Sequence, residues 1–183
     1  MSDCDDAPYI QEQFVVAVNL ELQQLVDDPV VDIVKAALEA NQTDPEALVV
    51  ELTERTDAVD DAPVADAARR LSRLGIQLAL DDFGTGFSSL TRLKQLPVHK
   101  LKVDASFVRH LNSDRDDQVI VAGLAHLAAD LGLDCIAEGV EHTAQADLLR
   151  RLGCTAAQGF LYGAPMPAEQ LLRASHAKTV VWA

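Results

Sequence analysis

Short apolar runs alternate with amphipathic helical segments along the whole chain, and nearly every run turns polar at its C-terminal end. The runs are FVVAVNL (14–20), ALVVELTE (47–54), IQLALDD (76–82), HKLKVD (99–104), LDCIAEG (133–139) and AAQGFLYG (156–163). Helix-like stretches lie near 22–40, 63–74, 87–95, 114–131, 143–152 and 167–174. Strands alternating with helices form right-handed βαβ units and a parallel sheet. Gly75, Gly132 and Gly153 stand where a helix gives way to the next strand, as C-terminal glycines should. Asp114 and Thr143 suit helix starts. No linker, low-complexity tract or second domain interrupts the pattern.

The polar strand tips are Asn19, Glu51 and Glu54, Asp81 and Asp82, Lys102 and Asp104, Glu138 and Glu141, and Gln158. Alternate residues of a strand share a face. That pairs Ala17 with Asn19, Val49 with Glu51, Ala79 with Asp81, Ile136 with Glu138 and Ala156 with Gln158. A small or branched residue followed by a polar tip is the inward pattern of a β/α barrel, whose chemistry collects at the C-terminal rim. A solvated loop would mix Lys, Ser and Glu without restricting them to strand ends. The adjacent Asp81 and Asp82 admit two readings: turn chemistry before the glycine-rich Gly84-Thr85-Gly86, or a cation site. Acids facing a single inward Lys102 need either cations or shifted pKa values.

With 183 residues, half of them apolar, the chain has enough material for one domain with a sizeable core. Its net charge of −14 argues against binding a nucleic-acid polymer or an anionic membrane surface. Cys4, Cys135 and Cys154 form no CxxC pair and read as reduced thiols of a cytoplasmic protein. No apolar stretch reaches membrane-spanning length, and the acidic start is unlike a signal peptide. The five histidines (99, 110, 126, 142, 176) have no metal-ligand spacing. GTGFSS does not follow a nucleotide-binding fingerprint.

In this order, VNL (18–20), ELTE (51–54), DDFGTGFSSL (81–90), LKVD (101–104), AEGVE (137–141) and QGFLYGAPMP (158–167) resemble the EAL-domain family, the cyclic di-GMP phosphodiesterases of bacterial signalling. The resemblance covers about residues 14–175, with an acidic segment before it (1–13) and a tail after it (176–183). Phe87 and Glu21 depart from the family's usual Tyr and Ser. The resemblance implies a TIM-type β/α barrel, here incomplete. Six of eight βα units are legible, and the Glu-Ala-Leu motif that ends the family's second strand has no counterpart, since LEA (38–40) and PEAL (45–48) are misplaced.

What the resemblance implies for chemistry is hydrolysis of one phosphodiester of cyclic di-GMP, giving linear pGpG, with two divalent cations, Mg²⁺ or Mn²⁺. By the same resemblance Asn19, Glu51 and Asp81 ligate metal and Asp82 helps hold the second cation. Lys102 orients water or stabilises charge, and Glu138 is the general base. Gln158 supports the metal–water network, Glu54 braces the Gly84–Gly86 loop, and Glu141, with Asp104, supports the surroundings of Lys102. The missing Glu would weaken one cation: a unit charge at ~4 Å and an effective dielectric of ~20 is worth about 4 kcal/mol, on the order of a thousandfold. The alternative is a non-catalytic EAL-type module that binds cyclic di-GMP or a protein. An open sheet edge further implies a homodimer or a partner that covers it.

Overall fold

A computed structural model describes residues 15–26, 29–53, 61–84 and 90–170. Six strands, β1 (Val16–Glu21), β2 (Leu48–Thr53), β3 (Gln77–Phe83), β4 (Lys100–Val103), β5 (Asp134–Ala137) and β6 (Ala156–Ala157), form one sheet. All pair in parallel, in the order β1-β2-β3-β4-β5-β6, so spatial order repeats chain order. That is the sequential winding of a β/α barrel, and the sheet is consistent with an incomplete one. Among the described residues β1 and β6 each have one neighbour. The helices are α1 (Leu22–Val26), α2 (Val30–Asn41), α3 (Asp61–Arg73), α4 (Leu90–Gln95), α5 (Ala105–Arg109), α6 (Arg115–Asp130) and α7 (Thr143–Leu152). None is long and apolar enough to cross a membrane.

The two faces of the sheet divide the work. Val50, Leu52, Leu78, Leu80, Leu101, Val103, Cys135 and Ala137 alternate onto the helix-covered face and form one cluster with Leu71, Val108, Val121 and Leu149. The other face carries Asn19, Glu51, Ala79, Lys102 and Ile136, aligned by the register Asn19–Glu51, Glu51–Ala79 and Lys102–Ile136. Burial of the first face, worth about 25 cal/mol per Å² of apolar surface, fixes the direction of the second. A slip of one residue would exchange them.

Several local expectations are revised. The stretch 22–40 is two helices, because Pro29 at the start of α2 lacks the N–H needed to continue a preceding helix. The β6 pairing ends at Ala157 rather than near 163, and a turn follows: Gly159 (φ +152°) lies so close to Val140 that a Cβ would sit 2.3 Å from its backbone nitrogen. Asp114 caps α6 as expected, accepting from the N–H groups of Asp116 and Asp117. Thr143 instead lies inside α7, whose cap is His142. Helix α5 was not anticipated, and its cap is Asp104, which accepts from the Ser106 N–H at 2.9 Å. Glu54, Thr85, Gly86, Phe87, Cys4 and the second half of the expected helix at 167–174 lie outside the described residues.

Candidate active site: a lysine inside a carboxylate cluster

Lys102 stands on β4 with 3% of its side chain exposed. Its Nζ lies 2.7 Å from Glu51 Oε2 of β2 and 2.8 Å from Asp81 Oδ1 of β3, and it also pairs with Glu138 just past β5. Gln158, just past β6, donates from Nε2 to Glu138 Oε1 at 2.7 Å. Five consecutive strands therefore meet at one rim, the C-terminal ends, where parallel β/α sheets collect their chemistry. Asn19 is level with Glu51 on the neighbouring β1.

The adjacent aspartates are explained by a bulge. Leu80 is opposite Leu101 and Phe83 is opposite Val103, so Asp81 and Asp82 together face Lys102 alone. Consecutive strand residues ordinarily point to opposite faces. Asp82 escapes that rule by adopting φ +51°, a left-handed conformation that Asp tolerates better than most residues. Asp81, Asp82 and Glu138 consequently offer ligand atoms all within 4.8 Å of one another. Gly84 (φ +103°) then turns the chain against Phe107, whose ring a Cβ would meet at 2.9 Å.

The electrostatics follow from this crowding. Burial alone would lower the Lys102 ammonium, but its bonds to Asp81, Glu138 and Glu51 outweigh that and hold it above its ordinary value. Burial pushes the Glu138 carboxyl up to about 7, with the Asp81 and Glu51 charges adding to it and Lys102 opposing. Burial also raises Asp82, helped by the charges of Asp81 and Asp104. Asp104 moves the other way: its bonds to Ser106 and Asp82 outweigh burial and lower it. Four carboxylates around one ammonium leave an excess of negative charge that a low-dielectric rim tolerates poorly. The donors are all oxygen, the set that hard divalent cations such as Mg²⁺, Mn²⁺ or Ca²⁺ prefer. The residues thus fit a divalent cation at the Asp81–Asp82 bulge, within reach of Glu51, Asn19 and Glu138.

Glu141 is tied through its backbone N–H, which donates to Gln145 Oε1 at 2.9 Å. No pattern in the sequence marks Gln145. Cys135 and Cys154 are free and buried, with their sulfurs 3.9 Å apart on the helix-covered side.

The profile of the EAL domain family matches residues 2–165. MucR of Pseudomonas aeruginosa, a bifunctional diguanylate cyclase/cyclic di-GMP phosphodiesterase, is 45% identical over 157 residues, 86% of this chain. The chain spans 23% of that relative's length. The MucR phosphodiesterase solved with c-di-GMP superposes with a TM-score of 0.79 at 44% identity, over 86% of this chain and 64% of that one. The EAL domain of Mycobacterium smegmatis DcpA gives 0.85 at 37% identity, over 91% and 74%. BlrP1 of Klebsiella pneumoniae, solved as a manganese/cy-diGMP complex, gives 0.77 at 32% identity, over 84% and 40%. Sequence, fold and rim geometry agree, and this chain belongs to the EAL-domain family.

Proposed function

We propose that the chain binds cyclic di-GMP at the carboxylate–lysine rim and hydrolyses one of its phosphodiesters to linear pGpG with Mg²⁺ or Mn²⁺ bound. The observation that carries this reading is the convergence of Glu51, Asp81 and Glu138 on the buried Lys102. Asn19, Glu51, Asp81 and Asp82 would hold the cations, which would supply Lewis acidity and make a water easier to ionise. Glu138 accepts a proton from the attacking water, and Gln158 keeps its carboxylate oriented. Lys102 stabilises the charge that gathers on the phosphoryl oxygens. The phosphorus–O3′ bond breaks, the proton ends on O3′, and the phosphate stays on the 5′ oxygen. The same reading carries supporting roles for Glu54, Asp104 and Glu141, a loop role for Gly84, Thr85 and Gly86, and a cytoplasmic setting.

A second reading, a non-catalytic module that binds cyclic di-GMP or a protein partner, is favoured by one feature. Asn19 stands on β1, an edge strand exposed at five of its six residues. Incubation with cyclic di-GMP and Mn²⁺, followed by chromatography, separates the two. Release of pGpG that disappears in Glu138→Gln supports the enzyme; binding by calorimetry without turnover supports the module. Neither binding nor turnover refutes both.

A further inference from the structure

Gln145, in the first turn of α7, is a buried polar side chain, 4% exposed, that bonds three backbone groups outside its own turn's hydrogen-bond ladder. Its Oε1 accepts from the N–H groups of Glu141 and His142, both at 2.9 Å. Its Nε2 donates to the Val108 carbonyl, at the end of α5, at 3.0 Å. Helix α5 begins three residues after Lys102, and the segment ending at His142 begins with Glu138. Gln145 therefore joins the segment that follows the lysine to the segment that follows the glutamate.

A second attachment lies at the near end of the same two segments. The Glu138 N–H donates to the Val103 carbonyl at 3.1 Å. Gly139 (φ +68°) is pressed so closely on α5 that a Cβ would sit 2.6 Å from that of Ala105. Between these two attachments Val140 is held to the turn after β6, its N–H donating to the Gln158 carbonyl at 3.0 Å. The Gln145 bonds are what fix the far end of the segment, Glu141 and His142, to α5. We propose that Gln145 is a positioning residue: by locking the Glu138–His142 segment onto α5, it sets the approach of the Glu138 carboxylate to the Lys102 ammonium. Its catalytic meaning rests on the phosphodiesterase reading, but the positioning itself does not.

The test uses the isotopically labelled 183-residue chain without added metal. In the unsubstituted protein the Glu141 and His142 amides exchange slowly with solvent, although neither lies within a helix or strand. Gln145→Glu keeps an acceptor for those amides but turns an oxygen toward the Val108 carbonyl; Gln145→Ala removes both bonds. Each speeds exchange at Glu141 and His142 by about tenfold or more and shifts the nitrogen resonance of the Lys102 ammonium. Gln118→Ala breaks a comparable bond, from Nε2 to the Leu111 carbonyl at 2.8 Å, and leaves the ammonium resonance in place. With Mn²⁺ and cyclic di-GMP, Gln145→Glu lowers kcat about tenfold and leaves KM within about twofold. The proposal is overturned by an unshifted ammonium resonance in the Gln145 variants, or by an equal shift in Gln118→Ala. Fast exchange of the two amides in the unsubstituted protein overturns it as well, even if no variant folds. Absence of turnover in the unsubstituted chain counts against the phosphodiesterase reading and leaves the resonance result to decide the positioning.

Discussion

Replacing Lys102 by Met keeps the length of the side chain and deletes its charge. The ammonium is buried and ion-paired with Glu51, Asp81 and Glu138. Removing one partner of such a buried arrangement costs about 3–5 kcal/mol, because the charges left behind have neither water nor counterion. For a domain of this size each kcal/mol is worth about 2–4 °C, so the metal-free variant should melt roughly 6–20 °C lower. Circular dichroism at about pH 7.5 in EDTA measures this. The deficit should shrink on acidification, and the sign follows from linkage. Glu138 already has a folded-state pKa of about 7, above its unfolded one, with Lys102 opposing that rise. A group raised in this way contributes stability that is fully present below its unfolded value and lost as pH rises through the folded one. The variant therefore approaches the parent as pH falls below about 7 and Glu138 takes up its proton, and saturating Mn²⁺ should restore part of the loss at neutral pH. Equal melting of parent and variant in EDTA at neutral pH would refute the neutralising role of Lys102. A deficit of the same size at every pH would mean lost packing, not exposed charge.

Metal binding should depend on the bulged acids: Asp81→Asn abolishes the Mn²⁺ heat seen by calorimetry, whereas Asp114→Asn, which keeps a good helix cap, leaves it unchanged. Equal losses would mean a diffuse acidic surface. Gly159→Ala, forcing a Cβ to 2.3 Å from the Val140 backbone, should cost more than about 4 kcal/mol in urea denaturation. Gly123→Ala in α6 meets nothing within 4 Å and should gain about 0.5–1 kcal/mol. Among the described residues β1 is an open edge with Val16 and Val18 exposed; pairing of that edge with another copy would give a dimer or larger species in light scattering after size exclusion at micromolar concentration. A monodisperse, cooperatively melting monomer would refute that.

The strand runs and their polar tips were readable because both follow from period-two alternation with one face buried, which needs no knowledge of the partner strand. The bulge was not readable. That Asp81 and Asp82 face the same rim depends on β3 gaining one residue against β4, and the register between Leu80 and Phe83 is a property of two strands at once. Helix α5 escaped notice because five residues are too few for a helical period to declare itself. Gln145 has its partners, Val108 and Glu141, in two other segments, so no local pattern marks it. Over-length β6 was the opposite error: FLYG is apolar enough for a strand, but Gly159 carries the chain away from the sheet.

Because spatial order repeats chain order, paired strand residues are never far apart along the chain. The gaps run from 20 residues, between Ile136 and Ala156, to 34, between Lys100 and Asp134. Each strand can dock on the one made just before it, closing a short loop at modest entropic cost, so the sheet can grow by successive addition during synthesis. The ion pairs at the rim obey a different schedule. Lys102 and Glu51 are 51 residues apart and become neighbours only after β3 has seated between β2 and β4. Until then Glu51 and Asp81 face each other without a counter-charge, and the growing edge carries mutual repulsion. Arrival of β4 with its lysine both extends the sheet and relieves that repulsion.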